Sequence, residues 1–239
     1  MSNLTLQWLL DCGEARTLRD LISKNRPGTA VSRKGNERID RIIGAARDTL
    51  IQQGYQGLTM RAVAAKCDIS VGNLNYYYSS KADLLADLLE IVIGGYLAAF
   101  DDILSKSDPV DPTNALEGVI RFIISDIGTE ETTMFFPELW ALANHDPNAA
   151  KRMHELYAKA RLIFDDLIPK INPALSAEEA RQVSLFLSAS LEGHTMFVGY
   201  NKPWAKYRQR ISNIAVKAML DLVRSITPGE IANLHIIKG

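Results

Sequence analysis

Apolar residues recur at helical spacing along most of the chain, with turn-forming residues between the repeats. Apolar stripes with a period of three to four residues predict amphipathic helices, and breakers such as Gly54, Pro147 and Pro169 are expected to end them. No segment shows the strict alternation that is typical of a strand. The pattern predicts an all-α chain with helices at about 37–53, 80–104, 114–127, 131–143, 148–167, 177–200 and 204–226.

Two short helices with a tight turn between them are predicted in residues 58–81. Thr59 and Ser70 occupy N-cap positions, and each is preceded by an apolar residue spaced to contact another one inside the helix. Only Asp68 and Ile69 remain for the turn, so the two helices must cross steeply. This arrangement is typical of a helix-turn-helix, whose second helix enters the major groove of DNA.

Polar side chains on the second of these helices and beside it suit contact with DNA. Asparagine can offer a donor and an acceptor to an adenine edge, tyrosine can bond a phosphate, and a glycine allows close backbone approach. Each of these residues alone is more typical of an exposed position on a small helical domain, but the combination favours DNA. We predict contacts from Thr59, Arg61, Ser70, Gly72, Asn73, Asn75, Tyr76, Tyr77 and Lys81.

Six short motifs follow one another between about Ile39 and Leu85. They are Ile42–Ala46, Gly54–Tyr55, Leu58–Ala64, Ile69–Leu74, Tyr77–Tyr78 and Lys81–Leu85. In order and spacing they resemble the N-terminal domain of the tetracycline-repressor-like (TetR) regulators. The resemblance implies that Thr59 and Lys81 hold phosphates, that Tyr77 also grips the DNA backbone, and that Tyr78 is buried. Asn75 stands where many members carry tyrosine, which exchanges a phosphate contact for a candidate base contact.

An extension of residues 1–36 precedes the helix-turn-helix domain, which is predicted at 37–81. Its apolar residues between Leu4 and Ile22 indicate one or two short amphipathic helices, followed by a basic flexible segment. Arg33 and Lys34 in that segment either reach into a minor groove as an arm or belong to a solvated linker. The sequence leaves both interpretations open.

A long helix that begins at Ser80 is predicted to connect this domain to a helical effector-binding and dimerisation domain at 82–239. The last two helices are apolar over a wide arc, so they bury more than one face. Either both are interior in a monomer, or one face pairs with a second subunit as a two-fold four-helix bundle, which the resemblance implies. The homodimer is favoured, because a single helix-turn-helix reads too few base pairs, and its operator in double-stranded DNA is expected to be palindromic.

Aromatic and sulfur-containing side chains gather on the later helices. Such residues line apolar pockets that carry a few polar groups, although each one alone is more typical of plain core. We predict a cavity for a small-molecule effector lined by Tyr96, Phe100, Phe122, Met134, Phe136, Trp140, Met153, His154, Tyr157, Phe186, His194 and Phe197. The histidines lie on different segments without the spacing of metal ligands, so neither a metal nor a cofactor is expected.

Charge is distributed unevenly along the chain. Residues 1–81 hold 12 Lys and Arg against 7 Asp and Glu, while the remainder holds 15 against 21, and the whole chain has a net charge of −1. A basic end on an acidic remainder suits a protein that approaches phosphates from one end only.

Other classes of protein fit the sequence less well. The chain has 239 residues, 47% of them apolar, and no apolar run approaches the roughly 20 residues that span a bilayer, so a cytoplasmic protein is expected. Its two cysteines are too few for a disulfide framework. An enzyme is not indicated, because glycine-rich phosphate loops, Gly-x-Ser-x-Gly and His-Glu-x-x-His are all missing. An adaptor that has lost DNA binding is disfavoured by the presence of Thr59, Tyr77 and Lys81.

These patterns predict a dimeric, ligand-responsive transcriptional regulator, with a repressor favoured. The alternative is a regulator of the same fold that activates, or that acts through a protein partner without a small-molecule effector. In the favoured mechanism, the effector shifts the helix that begins at Ser80 and changes the distance between the two recognition helices of the dimer.

Overall fold

The structure, a computed structural model, describes residues 33–108 and 110–232, and this part of the chain contains helices and no strand. The all-α prediction is therefore confirmed. The α-helices are α1 (Arg33–Gly57), α2 (Met60–Lys66), α3 (Val71–Tyr77), α4 (Lys81–Lys106), α5 (Pro112–Ile127), α6 (Glu130–Ala143), α7 (Pro147–Ile171), α8 (Ala177–Val198), α9 (Arg208–Ser225) and α10 (Pro228–Ala232). A single turn of 3₁₀ helix, Ala205–Tyr207, precedes α9. The amphipathic helices predicted between Leu4 and Ile22 lie outside the described residues.

The first helix starts earlier than predicted and is interrupted where predicted. α1 begins at Arg33, so Arg33 and Lys34 form its first turn and are not part of a flexible segment. The physical reason is that four of the six residues from Arg33 to Arg38 are arginine, lysine or glutamate, which favour a helix and outweigh Gly35 and Asn36, and no proline interrupts them. At Gly54 the backbone has φ 67° and ψ −178°, which ends the regular helix as expected for a C-terminal glycine.

Two prolines lie inside helices, and one of them contradicts a predicted boundary. Pro169 was expected to end a helix near Leu167, but α7 continues to Ile171. A proline removes the hydrogen bond from its own backbone nitrogen to the carbonyl four residues earlier, but it leaves the donors of the residues that follow, and α7 continues for two of them. Pro137 lies in the middle of α6, with six more helical residues after it.

The short helix α10 was not predicted, although the sequence carries a signal for it. The Thr227 hydroxyl accepts a hydrogen bond from the backbone N–H of Glu230 at 3.3 Å, and a Glu230 carboxylate oxygen accepts one from the N–H of Thr227 at 2.9 Å. This reciprocal pair is a capping box, whose Thr-x-x-Glu pattern can be read from sequence.

The chain divides into two compact units that differ from the predicted domains in their composition. Unit 1 contains the described residues up to Ala98 together with Met134–Tyr157, and unit 2 contains Ala99–Thr133 and the described residues from Ala158 onward. The boundaries predicted at 36/37 and 81/82 stay predictions. In unit 1, α2 packs against both α1 and α3.

In unit 2, α9 packs against α5, and α8 packs against both of them. Buried polar contacts tie the helix ends together. The Asn172 side chain donates to the carbonyl oxygens of Val223 and Ile226, both at 2.9 Å. The Thr133 hydroxyl donates to the Ile127 carbonyl at 2.8 Å and accepts the N–H of Tyr200 at 2.7 Å. The two Thr133 bonds fix the end of α8 against the end of α5, and the two Asn172 bonds fix the end of α7 against the end of α9.

None of the described helices is long and apolar enough to cross a membrane.

Candidate DNA-binding surface and effector region

Both short helices begin at the predicted N-caps. The Thr59 hydroxyl accepts the N–H of Ala62 at 3.1 Å, and the Ser70 hydroxyl accepts the N–H of Asn73 at 3.1 Å. Each bond satisfies one of the donors that a helix start leaves free. Between the helices Asp68 adopts a left-handed conformation with φ 54°, which reverses the chain within a few residues. The predicted helix-turn-helix is confirmed.

Apolar side chains on the inner face hold the two helices in place. Leu58, Val63, Leu74 and Tyr78 are all completely buried, as the staple and the inward spacing predict. The Tyr78 hydroxyl donates a hydrogen bond to the buried carboxyl group of Asp87 on α4. α3 is therefore anchored to α4 through its inner face, and the opposite face of α3 is exposed.

The outer face of α3 carries the residues predicted to contact DNA. Tyr76 is 83% exposed, and Tyr77 is half-buried with its ring edge-on to Tyr76 at 5.1 Å between centroids. At Gly72 the nearest atom to an added Cβ would be the Ser70 hydroxyl at 3.8 Å, so packing within the protein does not require a glycine. The exposed residues of this face are Ser70, Gly72, Asn73, Asn75 and Tyr76.

The remaining candidates flank that face. Thr59 and Arg61 are exposed at the start of α2, and Lys34 is exposed at the start of α1. The Thr59 hydroxyl uses its oxygen to cap α2 and keeps its own hydrogen for an acceptor such as phosphate. DNA contact by each of these residues, and by Arg33, stays a prediction.

Lys81, at the start of α4, makes contacts within the protein that sequence did not predict. Its ammonium donates to the Tyr55 carbonyl at 2.7 Å and lies 3.4 Å from the centroid of the Tyr55 ring. Partial burial lowers the pKa of the Lys81 ammonium from its ordinary value. An ammonium has three donors, so at least one is not needed for the Tyr55 carbonyl and suits a phosphate oxygen.

Cys67, which directly follows α2, is a small core residue. It is buried, and burial raises the pKa of its thiol despite the opposing effect of Arg41. A raised thiol pKa favours the protonated, less reactive form.

In unit 1, four of the predicted effector residues form a ring cluster around Phe136. Its centroid lies 6.1 Å from that of Tyr96, 6.4 Å from that of Trp140 and 6.3 Å from that of Tyr157. The Trp140 indole N–H donates to the Tyr157 hydroxyl at 2.8 Å. We call these four residues the aromatic cluster. Of the other candidates in this unit, Met153 is half-buried, whereas Met134 and His154 are exposed.

In unit 2 the predicted effector residues do not all point inward. Phe100 and Phe122 pack edge-to-face with centroids 5.9 Å apart, and His194 Nδ1 lies 2.7 Å from the Ser190 carbonyl oxygen on its own helix. In contrast, Phe186 is 56% and Phe197 is 64% exposed. Their exposure favours an interface over the cavity wall expected from sequence.

An exposed apolar stripe runs along α8. It occurs because the helix is apolar on two faces, of which only one is buried, by residues such as Val183, Leu187 and Leu191. Positions three, four and seven apart lie on one side of a helix, so the exposed residues share one face. We define the α8 stripe as Leu185, Phe186, Ala189, Met196 and Phe197, together with the exposed Tyr200 that lies two residues beyond the end of the helix.

Two buried hydroxyls on α8 were missed from sequence. Ser184 and Thr195 are completely buried, and their hydroxyl oxygens find no hydrogen-bond partner among the described residues. Such groups are candidates for contact with a ligand or water. The sequence signal that could have indicated them is a polar residue placed among the apolar residues of the inward face of α8. Within the same described part of the chain, no group of His, Cys, Asp and Glu residues is placed to hold a metal ion.

A capped helix-turn-helix with an exposed polar second helix, on an all-helical chain, defines the class of helical DNA-binding proteins. Residues 42–88 match the family described as bacterial regulatory proteins of the tetR family. This segment, which contains the helix-turn-helix, is the DNA-binding domain by which the chain is similar to transcriptional regulators of the TetR family. The relatives described next are all named as transcriptional regulators.

Individual relatives are distant but cover most of the chain. An uncharacterised HTH-type transcriptional regulator from the dhlA 5′ region of Xanthobacter autotrophicus is 27% identical over 155 residues, which is 64% of this chain and 75% of that protein. The HTH-type transcriptional regulator BetI of Burkholderia lata is 23% identical over 155 residues, 64% of this chain and 77% of its own. A transcriptional regulator from Rhodococcus sp. Rha1 has the same fold, with a TM-score of 0.64 and 18% identity over 79% of this chain and 98% of that one.

Proposed function

We propose that this TetR-family regulator is a homodimer that represses transcription from a palindromic operator and is released by a small molecule. The observation that carries the proposal is the outer face of α3. It presents Asn73, Asn75 and Tyr76 together, while Leu74 and Tyr78 anchor the helix from behind. Polar groups with both donors and acceptors, held on a rigid helix, are what direct readout of base edges requires.

The α8 stripe and the exposed apolar face of α9 supply the subunit contact. Ile214 is 63% exposed on α9, and Ala218, one turn further, is exposed with it. Large apolar side chains exposed in one continuous stripe mark an interaction surface. A two-fold pairing of these helices buries the same stripe on both subunits, which is the simplest way to cover it. It also provides the two recognition helices that a palindrome needs.

The aromatic cluster is our proposed contact for the effector. It offers apolar ring surface together with hydroxyl groups from Tyr96 and Tyr157, which is the chemistry of small-molecule sites. Tyr96 belongs to α4, the helix that begins at Lys81. If a ligand binds more tightly when α4 takes one position than when it takes another, it increases the population of the favoured position. The spacing of the two α3 helices in the dimer changes with it.

The test uses the purified protein with a duplex taken from upstream of its own gene. Light scattering is expected to give the mass of a dimer, and the duplex is expected to be retarded in a gel even with an excess of unrelated competitor DNA. A monomer, or equal competition by unrelated DNA, would contradict the proposal.

A further inference from the structure

The end of α1 is held from two sides by residues that are distant in sequence. From α6, a carboxylate oxygen of Glu138 accepts the backbone N–H of Tyr55 at 2.7 Å. From α4, the Lys81 ammonium donates to the carbonyl of the same residue at 2.7 Å. All three residues belong to unit 1. The Tyr55 backbone therefore links a carboxylate on one helix to an ammonium on another.

Gly54 makes the Glu138 contact possible. Its positive φ of 67° turns the next N–H out of the helix, and only glycine adopts this conformation without cost. A Cβ at this position would lie 3.0 Å from Glu138 Oε2 and 3.2 Å from Oε1. The absent side chain leaves the space that the carboxylate occupies, so the site requires glycine for both its backbone and its contact.

The hydrogen bond between the Tyr55 N–H and the Glu138 carboxylate belongs to the stronger class of protein hydrogen bonds. A backbone N–H that donates to a carboxylate forms a charge-assisted bond, which is roughly twice as strong as a neutral one. On the other side, the Lys81 ammonium adds a cation–π contact with the Tyr55 ring to its bond with the carbonyl. Together these contacts restrict where the Lys81 side chain can lie.

We propose that Glu138 positions Lys81 for DNA by fixing the Tyr55 backbone on which the ammonium rests. The inference rests on the proposed function, in which Lys81 contacts phosphate. Glu138 stands on α6, the helix that also carries Phe136 and Trp140 of the aromatic cluster. Glu138 is a positioning residue here and does not touch DNA.

The test separates the hydrogen bond from the charge. Glu138→Gln removes the charge but keeps an acceptor oxygen, whereas Glu138→Leu removes both. Binding to a labelled random-sequence duplex is measured by fluorescence anisotropy over a range of salt, because a phosphate contact does not depend on base sequence. Glu138→Leu is expected to bind at least about twofold more weakly than Glu138→Gln, the lower end of coupling within one contact network.

Two controls make the result specific to Lys81. In a Lys81→Met background, Glu138→Leu and Glu138→Gln should bind equally. The salt slope of Glu138→Leu should also fall toward that of Lys81→Met, by up to roughly one unit per subunit. A mere loss of active protein does not change that slope. Glu130→Gln, an exposed carboxylate on the same helix, is the matched control and should leave binding unchanged.

The outcomes distinguish the inference from the proposed function. Suppose that Lys81→Met weakens binding. If Glu138→Leu and Glu138→Gln then bind equally in the wild-type background, or if their difference persists in the Lys81→Met background, the inference about Glu138 is wrong and the phosphate contact of Lys81 stands. If Lys81→Met itself has no effect on binding, both the inference about Glu138 and the proposed phosphate contact of Lys81 are wrong. Should Glu138→Leu not fold, Glu138→Ala takes its place and is judged by the same comparison.

Discussion

The adjacent tyrosines at the end of α3 are expected to respond in opposite ways to the same chemical change. Tyr78 is completely buried and donates a hydrogen bond to the Asp87 carboxyl group, which is only 2% exposed. Tyr77 is half-buried and is proposed to grip phosphate. Changing either to phenylalanine removes one hydroxyl and keeps the ring. We expect Tyr78→Phe to lower stability and Tyr77→Phe to lower DNA affinity.

The magnitude follows from what each hydroxyl contacts. Tyr78→Phe takes a donor away from a buried carboxyl group, which costs about 1–3 kcal/mol in the free energy of unfolding. For a chain of this size, Tm then falls by about 2–4 °C for each kcal/mol. Tyr77→Phe removes no buried contact of this kind, so its stability is expected to stay within about 0.5 kcal/mol of the wild-type value. The Tyr77→Phe variant is instead expected to lose about 0.5–1.5 kcal/mol of DNA-binding free energy, because its missing hydroxyl no longer bonds a phosphate.

Urea unfolding followed by circular dichroism measures the first effect, and anisotropy with a random-sequence duplex measures the second. Each variant serves as the matched control for the other. The reasoning is refuted if Tyr77→Phe is destabilised as much as Tyr78→Phe, or if Tyr78→Phe unfolds at the same urea concentration as the wild type.

Three further predictions test the DNA-binding and subunit surfaces. Lys81→Ala should weaken binding to all duplexes about equally and lower the salt slope by roughly one unit per subunit, and a loss confined to one sequence would sink the phosphate assignment. Asn73→Ala and Asn75→Ala should each relax preference at one base position per half-site by about 1–3 kcal/mol; an unchanged preferred site in both would show that neither reads bases. Ala218→Arg should give a monomer by light scattering and abolish operator binding, because it buries an unpartnered charge, whereas Gln209→Arg on the opposite face of α9 should remain a dimer. A dimeric Ala218→Arg protein with full affinity would rule out this face as the interface.

The parts of the site that sequence predicted well are local. The caps at Thr59 and Ser70 and the inward positions of Leu74 and Tyr78 depend on residues within one or two helical turns. Their spacing therefore carries the information directly. The break at Gly54 was predictable for the same reason, because a glycine that follows an apolar stripe is a common helix end.

The parts that sequence did not predict depend on contacts between distant segments or on a choice between two similar faces. Glu138 and Tyr55 are 83 positions apart, and nothing in either sequence neighbourhood indicates that they meet. Phe186 and Val183 belong to one helix with two apolar faces, and only packing decides that Val183 is buried while Phe186 is exposed. Periodicity shows that such a helix has apolar faces but does not show which one the fold covers.

Selection of duplexes from random DNA with the wild-type protein tests the central proposal most directly. A dimer that places two α3 helices in successive major grooves should enrich one sequence made of two inverted half-sites, about one helical turn apart from centre to centre. The same selection with the Ala218→Arg protein should enrich nothing. Enrichment of a single, non-symmetric site by the wild type, or no enrichment at all, would contradict a dimeric regulator that reads a palindrome through α3.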